Sequence, residues 1–317
     1  MSKFYGDIKR DFNDAYTKNF FGGFPAIFKF KTAPSDKISL GQSYRLARVN
    51  TDSGATYDGK NVVTLKVSCM DKAVATKFKA SNDAAVYEVS YKPKDLNKDG
   101  KVLNLKHNSK FETGTQNVAS TESVKFGSNL FSDVNLGLNL DYNWSTAAGA
   151  DQVLKAAVNF TKKEVNFGVK SDYSINKKAA KSLLAQASYN TAKIDHFFVY
   201  DHFGQNFTYA TLSNKNYKPN ETHACDIVVD TTGKAKWFYG YPVSSSWAGI
   251  YNLNSDSTLR VKLLLKDSWN LGFGWGQVIN KNLTVNFSHD LDVTQTVGLT
   301  KSAGSPYNFG LQFKFSL

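Results

Sequence analysis

The chain has 317 residues, 39 of them basic and 27 acidic, for a formal net charge of +12. No run of about 18 apolar residues occurs, which excludes a helical membrane span, and the two distant cysteines, Cys69 and Cys225, make neither a disulfide framework nor a metal site. The basic residues are scattered singly rather than in runs, which points to a charged lining that attracts anions and away from a nucleic-acid patch.

In chain order, residues 1–7 lack the apolar core of a secretory signal peptide, which argues against a secreted or bacterial outer-membrane product. From residue 3 to about residue 18, Phe4, Ile8, Phe12, Ala15 and Tyr16 fall on one stripe at helical spacing, with Lys9, Arg10, Asn13 and Asp14 on other faces. This predicts a short amphipathic helix, a device that can lie on a membrane, pack inside a barrel or bind a partner. Gly22 and Gly23 then supply a hinge, and Pro25 ends any helical run. Residues 1–25 are thus read as helix and hinge, and residues 26–317 as one β-domain.

From Ala26 onward the period changes to two. Ile38, Leu40, Tyr44 and Leu46 alternate with Lys37, Ser39, Ser43 and Arg45. The same alternation sets Val134, Leu136, Leu138, Leu140 and Tyr142 against Asn135, Gly137, Asn139 and Asp141, and Trp269, Leu271, Phe273 and Trp275 against Asn270, Gly272, Gly274 and Gly276. Successive strand side chains point to opposite faces, so each segment has a greasy side and a wet side. Repeated along the chain, this predicts an all-β transmembrane barrel with a water-filled lumen. Roughly 290 residues at about ten per strand and four or five per turn make 19 or 20 strands, more than the 16 to 18 that already enclose an aqueous channel. An aromatic content of 14% suits girdles at both membrane interfaces. The rival, a soluble all-β binding protein, would need a second layer over every apolar strand face.

Enzyme chemistry finds no foothold in the sequence. Asp95, Asn97, Asp99 and Gly100 open like a calcium loop, but Lys106 stands where the bidentate Glu is needed, so a polar hairpin turn is the better reading. His196 and His202 read as members of one strand about 20 Å apart, too far to share a metal. His107, His223 and His289 read as isolated, and neither a nucleophile elbow nor a phosphate loop is present. The expectation is no catalysis, no cofactor and no metal. Lys66, Lys170, Arg260, Lys262 and Lys266 lie on the polar parity and are the candidate pore lining, where positive charge lowers the barrier for anions.

Both termini carry a resemblance. Tyr5-Gly6-Asp7-Ile8, then Asp14-Ala15-Tyr16-Thr17-Lys18, the glycine hinge and a first strand ending Lys29-Phe30-Lys31-Thr32 resemble the voltage-dependent anion channel family, the eukaryotic mitochondrial porins. Asn308, Gly310, Phe313 and Phe315 follow a polar-x-Gly-x-x-hydrophobic-x-hydrophobic pattern that resembles the sorting signal of mitochondrial β-barrels. The resemblance implies a 19-stranded barrel of the mitochondrial outer membrane with the helix inside the pore. It implies a voltage-gated, weakly anion-selective channel for passive diffusion of metabolites and ions such as ATP, ADP and phosphate. The implied partners are membrane lipid, anionic metabolites and nucleotides, further copies of the chain and other mitochondrial membrane proteins. By the same resemblance Arg10 and Lys18 align with nucleotide-contact positions and Gly22 and Gly23 permit helix movement, while Asn13 replaces a usual arginine. The protein-import channel of that membrane, similar in barrel and sorting signal, is the alternative reading, together with a structural barrel subunit of a larger complex.

Overall fold

The computed structural model describes residues 10–17, 26–51, 54–69, 73–94, 97, 101–131, 133–213, 218–231, 243–266, 268–296 and 307–316. A helix, α1 (Arg10–Thr17), precedes nineteen strands. The first nine are β1 (Ala26–Thr32), β2 (Ile38–Thr51), β3 (Gly54–Cys69), β4 (Val74–Ser81), β5 (Ala84–Tyr91), β6 (Val102–Glu112), β7 (Val118–Phe131), β8 (Val134–Ser145) and β9 (Val153–Lys162). The chain continues as β10 (Val165–Ser174), β11 (Ala179–Asn190), β12 (Ile194–Asp201), β13 (Asn206–Ser213), β14 (Glu221–Asp230) and β15 (Val243–Asn252). It ends with β16 (Ser257–Leu265), β17 (Trp269–Asn280), β18 (Leu283–Asp292), a short helix α2 (Val293–Thr296) and β19 (Tyr307–Ser316).

Each strand pairs antiparallel with the next, and β1 also pairs with β19, so the sheet closes on itself as a barrel. In an up-and-down meander the strands alternate in direction, so the first and nineteenth run the same way. The closing ladder must then be parallel, and it is: Ala26 lies opposite Leu311 and Lys31 opposite Ser316. Stacked rings fasten this seam from outside. Phe28 lies over Phe313 at 5.4 Å between centroids and Phe30 over Phe315 at 4.9 Å, contacts worth about 0.5–1.5 kcal/mol each beyond area burial.

The barrel is inverted relative to a water-soluble fold. In β10 Asn166 is 1% exposed and its neighbour Phe167 47%; in β18 Asn286 is 2% exposed and Phe287 39%. Some inward polar groups pair with one another, as where Asn166 Nδ2 donates to Ser188 Oγ at 2.9 Å. Among the described residues, thirty-seven large apolar or aromatic side chains are exposed. Even at ~1 kcal/mol each for area left in water, their cost would far exceed the ~5–15 kcal/mol of net stability a domain has. Such a surface is stable only against hydrocarbon, so the chain is an all-β membrane barrel. A charge on this face carries a definite expectation. Phe167→Arg should destabilise the refolded barrel in bilayers by about 2–4 kcal/mol, whereas Lys170→Arg, on the inward parity, should leave it unchanged; a urea titration of both variants in lipid vesicles checks the assignment.

One detail of the sequence reading changes. His202 does not share a strand with His196, because β12 ends at Asp201 and the chain turns there, with Asp201 Oδ1 accepting from the backbone N–H groups of Phe203 and Gly204. Of the calcium-like motif only Asn97 is described, Asp95, Asp99 and Gly100 lying outside the described residues: Asn97 Nδ2 donates to the Leu103 carbonyl and Asn97 Oδ1 accepts from the Leu103 N–H. Among the described residues no group of three His, Cys, Asp or Glu side chains converges to hold a metal.

Candidate functional site: the lumen and its two walls

The inward side chains line a lumen with two unlike walls. On β12 to β15 the inward parity, mostly polar elsewhere, is apolar: Phe197, Ala210, Leu212, Ala224 and Ala248 are buried, with Ile250 packed alongside. This patch is the seat of α1. Phe12 and Ala15 are each 2% exposed, the Phe12 ring lies 6.0 Å from that of Phe197, and Tyr16 OH donates to the Ala224 carbonyl at 2.9 Å. Three alanines lie inward on neighbouring strands because a helix cannot approach a sheet closely over bulky side chains, and burying the apolar stripe is what holds so short a helix in place. Of the three placements open to the amphipathic helix, the structure shows the lumenal one.

With nineteen strands around the barrel, the position half a turn from β14 falls at β4 and β5. That opposite wall is basic. Lys29 and Lys31 of β1, Lys66 of β3, Lys77 and Lys79 of β4 and Lys106 of β6 all lie on the inward parity, Lys66 directly beside Lys77 in the register. Glu88 of β5 sits among them, 3.0 Å from Lys106 Nζ and 3.7 Å from Lys77 Nζ, and one carboxylate does not balance these cations. At the mouth formed by the β4–β5 and β6–β7 turns, a recess of about 670 Å³ is lined by Lys60, Lys79 and Lys110 with Asp83 and Glu112.

The sequence candidates divide between these regions. Lys66 belongs to the basic wall. Lys170 of β10 lies 3.4 Å from Asp172 on its own strand. Arg260 and Lys262 of β16 flank the helix side, where the Asp14 carboxylate of α1 acts on Arg260 and Lys262 Nζ meets Asp290 Oδ1 at 2.9 Å. Lys266 lies just beyond β16 at the mouth. These residues therefore do not form one ring, and three of them work against a nearby acid. Arg10 opens α1, while its side chain and all of Lys18, Gly22 and Gly23 lie outside the described residues. In β19, Gly310 is buried inward, Phe313 and Phe315 build the outer face of the seam, and Asn308 lies in the strand, its side chain outside the description.

Glycines make room for the long cations. Arg260 faces Gly274 and Lys262 faces Gly272 across β16 and β17, and Gly272 in turn faces Asp290 of β18. A Cβ at Gly272 would collide with both Lys262 Cε and Asp290 Oδ1, so the ion pair bridges over a residue without a side chain. Asp290→Asn removes the acid from this pair and should raise the preference for anions, read as a larger reversal potential in a salt gradient.

Sequence reasoning passed over the helix seat and the charge pairs. The seat had a signal, because the polar parity is interrupted by apolar residues in four consecutive strands. The pairs had none, since they depend on register. The class of the protein is settled at this point: it is a closed 19-stranded membrane β-barrel with a helix docked in its lumen. No family model and no curated protein matches the chain.

Proposed function

We propose that the protein is a porin of the mitochondrial outer membrane, a voltage-gated and weakly anion-selective channel for passive diffusion of ATP, ADP, phosphate and similar ions. The observation that carries this reading is the basic wall of β1 to β6 facing the docked helix across the lumen. Nineteen strands leave an aqueous path where eight would fill themselves, and a wall with a net excess of cations concentrates anions along it. The odd strand count with its parallel seam departs from the even-numbered single-chain barrels of bacteria. It agrees with the terminal motifs that resemble the voltage-dependent anion channel. In this reading Arg10, Lys18 and the lumenal lysines set the field, Gly22 and Gly23 let the helix shift, and Asn308, Gly310, Phe313 and Phe315 address the chain to its membrane.

The test is single-channel conductance of the refolded protein in a planar bilayer under a salt gradient and a voltage ramp. The expected result is large anion-selective steps that fall to substates at both polarities. Cation-selective current blocked by a presequence peptide would replace this reading with the import channel, and a folded barrel without conductance would make it a structural subunit.

A further inference from the structure

The outer face of the barrel is apolar on strand after strand, yet on β6 and β7 it carries four polar side chains in contact. Counting outward from Leu105, β6 presents His107, Ser109 and Phe111; counting from Phe126, β7 presents Val124, Glu122 and Ser120. The register sets His107 opposite Glu122 and Ser109 opposite Ser120. His107 Nδ1 lies 2.6 Å from Glu122 Oε1, His107 Nε2 lies 2.7 Å from Ser109 Oγ, and Ser109 Oγ lies 2.8 Å from Ser120 Oγ. Around them Leu105, Phe111, Val124 and Phe126 are exposed, as befits a lipid-facing surface.

A neutral imidazole suits all three contacts. With the Glu122 carboxylate as acceptor, a neutral His107 carries its hydrogen on Nδ1. Its Nε2 then accepts from the Ser109 hydroxyl, and Ser120 donates to Ser109 Oγ. A hydroxyl held against an imidazole that a carboxylate orients is the arrangement by which serine is made a nucleophile. Its place on the barrel points to the substrate. Tyr142 and Trp144 of β8 stand beside Glu122 and Ser120 in the register, and such aromatic rings mark the membrane interface, where the ester linkages of bilayer lipids lie.

We propose that Ser109, His107 and Glu122 form a lipid-facing acyl-ester hydrolase site, distinct from the lumen and independent of the porin reading. Ser109 Oγ attacks the ester carbonyl carbon while its proton passes to His107 Nε2. Collapse breaks the bond to the lipid alcohol, which leaves with the proton from Nε2, and the acyl group stays on Ser109. Water from the interface then gives a proton to Nε2 and its oxygen to the acyl carbon; the acyl–Oγ bond breaks, and Ser109 recovers its proton. The net change is ester and water to fatty acid and alcohol. Ser120, 3% exposed behind Ser109, holds that hydroxyl in place through its own O–H.

The experiment uses the full chain refolded into phosphatidylcholine vesicles, treated with a fluorophosphonate probe and assayed for fatty-acid release. Labelling at Ser109 that disappears in Ser109→Ala and His107→Ala and falls at least tenfold in Glu122→Gln, with fatty-acid release lost in parallel, is the expected result. All three variants put less polarity on a lipid-facing surface, so the barrel should still form, which the mobility shift of the unheated protein on a gel verifies. A folded wild-type barrel that labels no better than Ser109→Ala, or labelling that persists in His107→Ala, would overturn the assignment and leave the four side chains as a hydrogen-bonded patch. Channel conductance should be the same in every variant, so failure of this site and failure of the porin reading are read separately.

Discussion

Lys66→Glu combined with Lys77→Glu is expected to remove most of the anion preference of the channel. The two residues are neighbours in the register on the wall facing the helix. One unit charge acts on a monovalent ion about 10 Å away in water with roughly 0.4 kcal/mol. Each reversal changes two charges, so the pair shifts the anion barrier by about 1.6 kcal/mol unscreened and ~0.6 kcal/mol at 0.1 M salt, where one Debye length separates ion and wall. That is about threefold for an anion and as much in the opposite sense for a cation, a fall of nearly tenfold in the permeability ratio. The reversal potential in a salt gradient reads it directly, and the effect should fade at 1 M salt. An unchanged potential would show that ions do not pass along this wall.

The second large effect concerns the helix. Phe12 is buried against Phe197 and Tyr16, and Phe12→Ala should cost about 3 kcal/mol of docking, the lower end for removal of a buried ring. At 1.4 kcal/mol per factor of ten, the undocked helix becomes about a hundredfold more populated. A reporter is at hand in Ala15, which is 2% exposed when the helix is seated. With the exposed Cys69 and Cys225 changed to Ser, an Ala15→Cys thiol should react slowly with a water-soluble maleimide and about a hundredfold faster once Phe12→Ala is added. Equal rates would mean that the seat does not hold the helix. Ala224→Phe should act in the same direction by filling the seat from the other side, since overpacking a close contact forces its partners apart.

Legibility followed the range of the interactions. Parity is local, so the alternation of Val165, Phe167 and Val169 with Asn166, Gly168 and Lys170 is enough to assign faces, and the first strand begins at Ala26, where the period changes, and ends at Thr32, as the terminal resemblance implied. The short helix α2 went unread because it rests on one cap, Asp292, which accepts from the Gln295 N–H and the Thr294 hydroxyl after an ordinary strand. What depends on register was hidden. Lys262 and Asp290 meet across two ladders and over Gly272, and His107 meets Glu122 only because the β6–β7 turn sets those residues opposite. A one-residue slip in that hairpin would turn Glu122 to the lumen and erase both the outer cluster and the reason for calling His107 anything but isolated. The helix seat lies between these cases: Ala210, Leu212, Ala224 and Ala248 are visible as breaks in the polar parity, but small and apolar residues look alike whether they make room for a helix or merely fill space.

The parallel seam also governs the order in which the molecule comes into being. The ladder from Ala26 to Leu311 joins opposite ends of the chain, so it is the last to form: eighteen hairpin contacts can zip from neighbour to neighbour, while this one waits for the final strand. Pairings that distant are slow because their loop closure is paid before any contact rewards it. Until closure, β1 and β19 are two open edges with unpaired backbone groups, each able to template a foreign strand. A nascent chain of this kind must therefore be chaperoned at its two ends rather than at its middle, and deletion of the last strand should leave an aggregating sheet in place of a smaller pore.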